Sequence, residues 1–277
     1  MVFTFFSTLK ASAIPVVCQI NGQPVTKRGQ LVIFAGTNGC SGMNTPAEHQ
    51  IDPIDTWLVM QVERGRALLM KQHPIAVQEY KHNEHAIARY DQSDIKASVA
   101  NWWSMVSGLR LGDFSIQDYV LPVKLNGENK SSVGVDIDFS SPDDIDRSIQ
   151  SKYKTTVDPS GSVYAFVPSY IDVNAAISGC VDVGEIVWTS FIASPPLPEP
   201  PLRESEAAIQ ERGVIRFTNA NYTHLRSPLH APWYDEESKF GIAAYITSFG
   251  FITSGGEGVP MYANLGVRPA CWVNIQE

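Results

Sequence analysis

The sequence is short of charge, and of positive charge above all. Charged residues make up 18% of the 277 positions, the net charge is -8, and no cationic run is longer than Lys27-Arg28. Soluble domains usually carry ~25% charged residues. A nucleic-acid binder needs a positive stripe to displace counterions from phosphates, and an anionic membrane surface makes a similar demand. Both partners are therefore excluded as expectations. Several chemical signatures are also missing. There is no CxxC pair, which argues against a zinc ribbon. HExxH and the G-x-S-x-G nucleophile elbow are absent. Gly255-Gly256-Glu257-Gly258 lacks the Lys and Ser/Thr of a phosphate loop and reads as a turn. No internal repeat is visible. The apolar run from Val2 to Leu9 is too short to span a bilayer.

What is there suggests a loop-rich chain with a substantial core. The 20 Gly and 18 Pro favour turns, and 44% hydrophobic residues suffice for a well-buried interior. Ala11-Ser12-Ala13 resembles a cleavage site, but the first cation, Lys10, follows the apolar run where a secretory signal would place it ahead. Residues 1–29 are therefore expected to be retained as an N-terminal β arm for docking or oligomerisation. Within it, the β-branched stretch from Ile14 to Ile20 ends at an Asn21-Gly22 turn. Leu31 to Ala35 reads as a buried strand, and Gly36 to Pro46 as a loop. Trp57 to Val62 and Ala67 to Met70, separated by Glu63-Arg64-Gly65-Arg66, predict a hairpin. Ser93 to Val106 is the clearest helix. Ser93 is placed to cap it, Ile95, Val99, Trp102 and Val106 form one apolar stripe, and Gly108 ends it. Val163 to Pro168 predicts a strand, Asp172 to Ile177 a short helix, and Tyr245 to Thr253 a strand pair or bent strand. Pro195 to Pro201 predicts an extended surface loop.

Some residues carry candidate chemistry. His82-Asn83-Glu84-His85, with His73 nearby, could offer a metal two imidazoles and a carboxylate, but it reads better as a solvated polar loop. Asp136, Asp138, Asp143, Asp144 and Asp146 lack the Gly and terminal Glu of an EF-hand and read as a charged surface. Cys18, Cys40, Cys180 and Cys271 allow two disulfides or buried free thiols, and the reading leans to free thiols. Trp233-Tyr234-Asp235, after His230, combines flat rings with carboxylates, a composition suited to binding.

Three segments carry a family resemblance. The first is Thr56-Trp57-Leu58-Val59 with Gly65 to Met70. The second is Tyr90, Ser93 and Ile95 leading to Trp102. The third is Leu225-Arg226-Ser227-Pro228 with Ala244-Tyr245, Gly250-Phe251-Ile252 and Gly266-Val267-Arg268-Pro269-Ala270-Cys271-Trp272. Over about residues 30–277 the chain resembles a domain family of bacterial and phage proteins that close with "GVRPALWL" after an upstream "WLRSP". Here His224 replaces the Trp and Cys271 a Leu, and the 125–160 insertion and the proline loop are unusual. The resemblance implies the C-type-lectin-like fold of the formylglycine-generating enzymes: α+β, with long loops, short antiparallel sheets and one or two helices. It also implies a scaffold presenting variable loops, with Arg226, Arg268 and Trp272 structural. An Arg between apolar strands is expected to donate to backbone carbonyls.

The resulting expectation is a lectin-like domain over 30–277 behind the 1–29 arm, non-enzymatic and without cofactor or metal. Its ligand-binding residues are expected to be Asn219, Asn221, Tyr222, His224, His230, Trp233, Tyr234 and Asp235, on loops around 219–236. It would sit on a virion, on a phage tail or capsid, or alternatively at a cell surface. There it would bind a cell-surface protein or glycan and other virion subunits, as a homo-oligomer, without membrane insertion. The alternatives are a purely structural virion component and a metal-dependent oxidase of the same fold. The oxidase would need a copper-binding cysteine pair, and only Cys271 lies near the C-terminal end.

Overall fold

Strands buried on both faces build the first sheet around a hairpin. The computed structural model describes residues 15–34, 40, 56–81, 89–129, 152–177, 218–229, 242–246, 259–260 and 264–276. β3 (Trp57–Glu63) and β4 (Arg66–Lys71) pair antiparallel. The turn is tighter than the sequence suggests, because Glu63 and Arg66 already pair. Only Arg64 and Gly65 remain, both at positive φ, 39° and 73°. Two such residues give the twist that a two-residue hairpin needs. Trp57, Val59, Ala67 and Leu69 enter one core cluster, while Leu58, Met60, Leu68 and Met70 are buried as well. Period-two side chains with both faces covered explain the continuous apolar runs. A bulge between Val59 and Gln61 shifts the parity, so Val62 returns to the first cluster.

The sheet extends on both sides of the hairpin. β2 (Leu31–Phe34) and β1 (Val17–Gln19) lie beyond β3, while β15 (Ala270–Asn274) and β8 (Val120–Leu121) lie beyond β4. Every pairing is antiparallel; two further antiparallel pairs, β6 (Arg110–Leu111) with β7 (Phe114–Ser115) and β9 (Val123–Leu125) with β10 (Thr155–Val157), stand apart from it. The sheet curls until Val17, on the edge strand, bridges Ile275 just past β15. Val17, Val25 and Ile275 share the hairpin's core. The turn expected at Asn21-Gly22 is present, with Gly22 at φ 75° and its N–H donating to Gln19.

A second sheet runs in the order β13 (Val259–Pro260), β12 (Ile242–Ile246), β11 (Thr218–Leu229), β14 (Asn264–Val267), β5 (Ala76–Gln78). Only its β11–β14 pairing is parallel. Two of the passages between the sheets, from β4 to β5 and from β14 to β15, are short and run side by side. The two crossings hold each other, since Lys71 N–H donates to Pro269 at 2.8 Å and Ile75 N–H to Val267 at 2.8 Å.

α1 (Asp94–Val106) joins the two cores. Ser93 caps it by accepting from the Lys96 N–H at 3.2 Å. Ile95 and Val99 pack with Tyr80, Tyr90, Val167 and Val267 under the second sheet. Trp102 and Trp103 pack on the first core, with Trp102 and Trp57 ring centres 6.0 Å apart. One helical stripe thus serves both sheets. α2 (Ile116–Tyr119) is a single turn, and α3 (Tyr170–Ile177) covers the predicted Asp172–Ile177 helix and packs on β3. The architecture is α+β: mostly strands, few helices and a curled antiparallel sheet.

Two expectations are corrected. Residues 163–168 form no strand; Val163 bridges Val123, and Phe166 exchanges both backbone bonds with Ala270. The ladder with Ala270 cannot continue, because the next donor on that side would be Pro168, which has no N–H, and on the other side the Val167 N–H is taken by the Tyr90 hydroxyl. Cys18 and Cys40 form a disulfide with Cα atoms 5.5 Å apart, so the lean to free thiols fails for this pair. Cys271 is free and buried, and burial pushes its thiol pKa up. Cys180, residues 1–14, the 36–46 loop apart from Cys40, the 136–146 acids, the proline loop, His82, His85, residues 247–253 and Gly255 to Gly258 lie outside the described residues.

Candidate recognition surface

β11 carries the first half of the expected binding segment and leads into the second. Residues 218–229 form a strand between β12 and β14, where sequence reading places a loop. The strand owes its position to two buried arginines, its own Arg226 and Arg268 at the sheet crossing. Each is 1–2% exposed. An interior guanidinium is tolerated only where its N–H groups are spent on acceptors.

Arg226 donates to the Asn126 carbonyl at 2.8 Å, to the Tyr153 carbonyl and to Thr155 Oγ1 at 3.1 Å. Its counter-charge is Asp172 of α3, 3.6 Å away, with both side chains almost fully buried. Asp172 also accepts from the Thr155 N–H at 2.8 Å, the Thr155 hydroxyl at 2.6 Å and the Ser169 N–H at 2.9 Å. The neighbouring Ser227 hydroxyl accepts from the Tyr170 N–H at 2.9 Å. On the other side, the Tyr80 hydroxyl donates to the Arg226 carbonyl at 3.1 Å. Burial raises the pKa of Tyr80 well above the ordinary phenol value and that of Tyr90 to about 12. Both phenols stay protonated at neutral pH, as donation by Tyr80 requires. Gly127 allows the Asn126 turn to approach: it has φ +72°, and a Cβ there would meet the Tyr153 ring at 2.5 Å.

Arg268 works at the crossing itself. It donates to the Gln72 carbonyl at 3.1 Å, to the Tyr222 carbonyl at 3.4 Å and to Thr223 Oγ1. It therefore ties the β4–β5 link, the β14–β15 link and β11 together. Burial lowers its pKa to about 9, which still leaves it charged at pH 7. Trp272, the third residue of β15 and paired with Leu68 of β4, lies under the Arg66 guanidinium, 5.3 Å from the ring centre. The expectation that Arg226 and Arg268 donate to backbone carbonyls holds.

The expected binding residues divide along the strand. Asn219 and Asn221 lie on β11, with Asn219 in register with Leu265 of β14. Tyr222 is half-buried. His224 is 2% exposed, its Nε2 lies 2.8 Å from the Gln78 carbonyl, and its ring meets Tyr80 edge-on. His230, Trp233, Tyr234 and Asp235 follow the end of β11 at Leu229 and lie outside the described residues. His73 is buried at 9% exposure. Among the described residues no group of three or more His, Cys, Asp or Glu is placed to hold a metal ion, and no helix is long and apolar enough to cross a membrane.

Sequence reasoning missed Asp172, Tyr80 and the Asn126 turn as partners of Arg226. Asp172 is recognisable only as a helix-start residue, and nothing in its spacing points to Arg226, 54 positions later in the numbering. Comparison with family models, curated proteins and solved structures finds no match for this chain.

Proposed function

We propose that this chain is a non-enzymatic recognition protein with a C-type-lectin-like scaffold. It sits on a virion surface and binds a cell-surface protein or glycan through the segment that leaves β11. One observation carries the reading. The Leu225-Arg226-Ser227 motif is locked by Asp172, Tyr80 and the Tyr170 N–H, and Trp233-Tyr234-Asp235 follow a few residues later. A recognition segment anchored next to a rigid strand limits the entropy lost when a partner is bound. The terminal Arg226 nitrogens and Asp172 are spent on each other and on their neighbours, which suits a scaffold better than a reaction centre, while Arg226 Nε and the Tyr153 hydroxyl have no partner among the described residues. The α+β architecture with a curled antiparallel sheet and the interior positions of Arg226, Arg268 and Trp272 support the lectin-like assignment.

Strand β1 lies within the expected 1–29 arm, and a terminal strand can pair with other chains. That supports docking of the arm on other virion subunits and a homo-oligomer, trimeric or higher, whose avidity strengthens receptor binding. The test is cell binding by the purified protein against the Trp233→Ala/Tyr234→Ala variant, with fold and oligomer size matched. Wild type is expected to bind particular cells, and the double variant to lose at least ten-fold. No binding by either protein would leave assembly as the role.

A further inference from the structure

An open polar groove of about 430 Å³ lies between β5, α1 and β14. That is within the roughly 300–1,000 Å³ range of small-ligand sites. Its walls are held by regular structure. Ser98 of α1 donates to Gln78 Oε1 at 2.8 Å, which fixes that amide and leaves its Nε2 without a partner among the described residues. Asn101, one helical turn further along, and Asn264, at the start of β14, also line the groove. Neither side-chain amide makes a hydrogen bond among the described residues. Three amides thus face one groove with donors and acceptors unspent. Glu79 and Asp94 add carboxylates, and among the described residues no cation lines it.

The required ligand follows from that inventory. An amide offers both donors and an acceptor, and a carboxylate only acceptors. A ligand whose own groups both donate and accept, at neighbouring positions, answers the three amides. Vicinal hydroxyls do so. An apolar ligand would cover the amides without replacing their water, and an anion would meet two carboxylates. Ala97, exposed next to Ser98 and one turn before Asn101 on the groove side of α1, leaves room for a ring to approach. The groove also continues the sheet row of the expected binding strand, because Leu265 pairs with Gln78 on one side and with Asn219 on the other.

We propose that this groove binds a neutral sugar, as the terminal residue of a glycan, through the amides of Gln78, Asn101 and Asn264. The proposal deepens the recognition reading and rests on it for the cell-surface source of the sugar. The test uses the full chain on an array of neutral hexose, N-acetylhexosamine and deoxyhexose glycans, with sialylated and phosphorylated ones beside them. The variants are Ala97→Arg, which fills the groove with a residue that favours helix, and Asn101→Ala, which removes one amide from an exposed position. Folding of each is checked by its melting curve.

Wild type is expected to retain a subset of the neutral glycans and none of the anionic ones. Ala97→Arg should lose more than ten-fold and Asn101→Ala about ten-fold. Retention of no neutral glycan, or retention unchanged in both folded variants, overturns the proposal. The two readings fail separately. Cell binding lost in the Trp233/Tyr234 variant, with no glycan retained, keeps recognition and removes the groove. Glycan binding lost in Ala97→Arg, with no cell bound by wild type, keeps the groove and removes the cell-surface role.

Discussion

Replacing Asp172 with alanine is expected to lower the unfolding free energy by about 3–5 kcal/mol, the cost typical of breaking one side of a buried ion pair. The substitution leaves the Arg226 guanidinium in the interior, where its side chain is 0% exposed, without its counter-charge. It also strands the Thr155 N–H, the Thr155 hydroxyl and the Ser169 N–H. Asp172→Asn keeps an acceptor in place and removes the charge, so its loss should be smaller. Urea unfolding measures both, and an unchanged slope would show that stability alone has moved. A loss under about 1 kcal/mol for alanine, the range of an exposed pair, would mean that water reaches Arg226 and that β11 is not clamped as described.

The Cys18–Cys40 bond is expected to contribute about 3 kcal/mol, because it closes a loop over a sequence separation of 22. Its position makes the effect local as well. Cys18 lies in β1, between Val17, which bridges Ile275, and Gln19. The Cys40 N–H donates to the Gln276 side chain at 3.2 Å. Loss of the bond therefore loosens the seam where the curled sheet meets the C-terminal strand. The Cys18→Ser/Cys40→Ser protein should unfold at lower urea, and hydrogen exchange should accelerate first at residues 17–19 and 275. Peptide mapping of the native protein should recover the Cys18–Cys40 cross-link, with Cys271 unmodified by thiol reagents until unfolding. Equal stability with and without the bond would remove the seam from the account.

Local patterns were readable in the sequence, and pairings across long stretches of chain were not. The β3–β4 hairpin and α1 announce themselves because partners lie within a few residues: Glu63 against Arg66, Ser93 against Lys96. The same logic failed at 163–168, where composition suggests a strand but the Tyr90 hydroxyl, 77 positions away, takes the Val167 N–H. The parallel β11–β14 pairing and the Cys18–Cys40 bond depend on how distant segments meet, which neither residue type nor spacing encodes. The arginines form an intermediate case. Their chemistry says that a buried guanidinium must find carbonyls, and it does, but not that Asn126, Tyr153 and Gln72 supply them. His224 shows the limit of composition: it reads as a surface polar residue beside Tyr222, yet its ring packs on Tyr80. The groove amides lie on α1 and two strands, far apart in sequence, so no local motif marks them.

The central claim is that a locked strand end carries a recognition segment, and substitution scanning across 219–236 tests it most directly. Each variant would be measured twice, once for protease resistance and once for cell binding. Substitutions at 223–227 are expected to fail on protease resistance, because Thr223, His224, Leu225, Arg226 and Ser227 are buried. Substitutions at 230–236 are expected to remain resistant while binding falls, most at Trp233 and Tyr234. If the 230–236 variants all bind as wild type does, or lose binding only together with resistance, the segment is not a recognition surface and the account is contradicted.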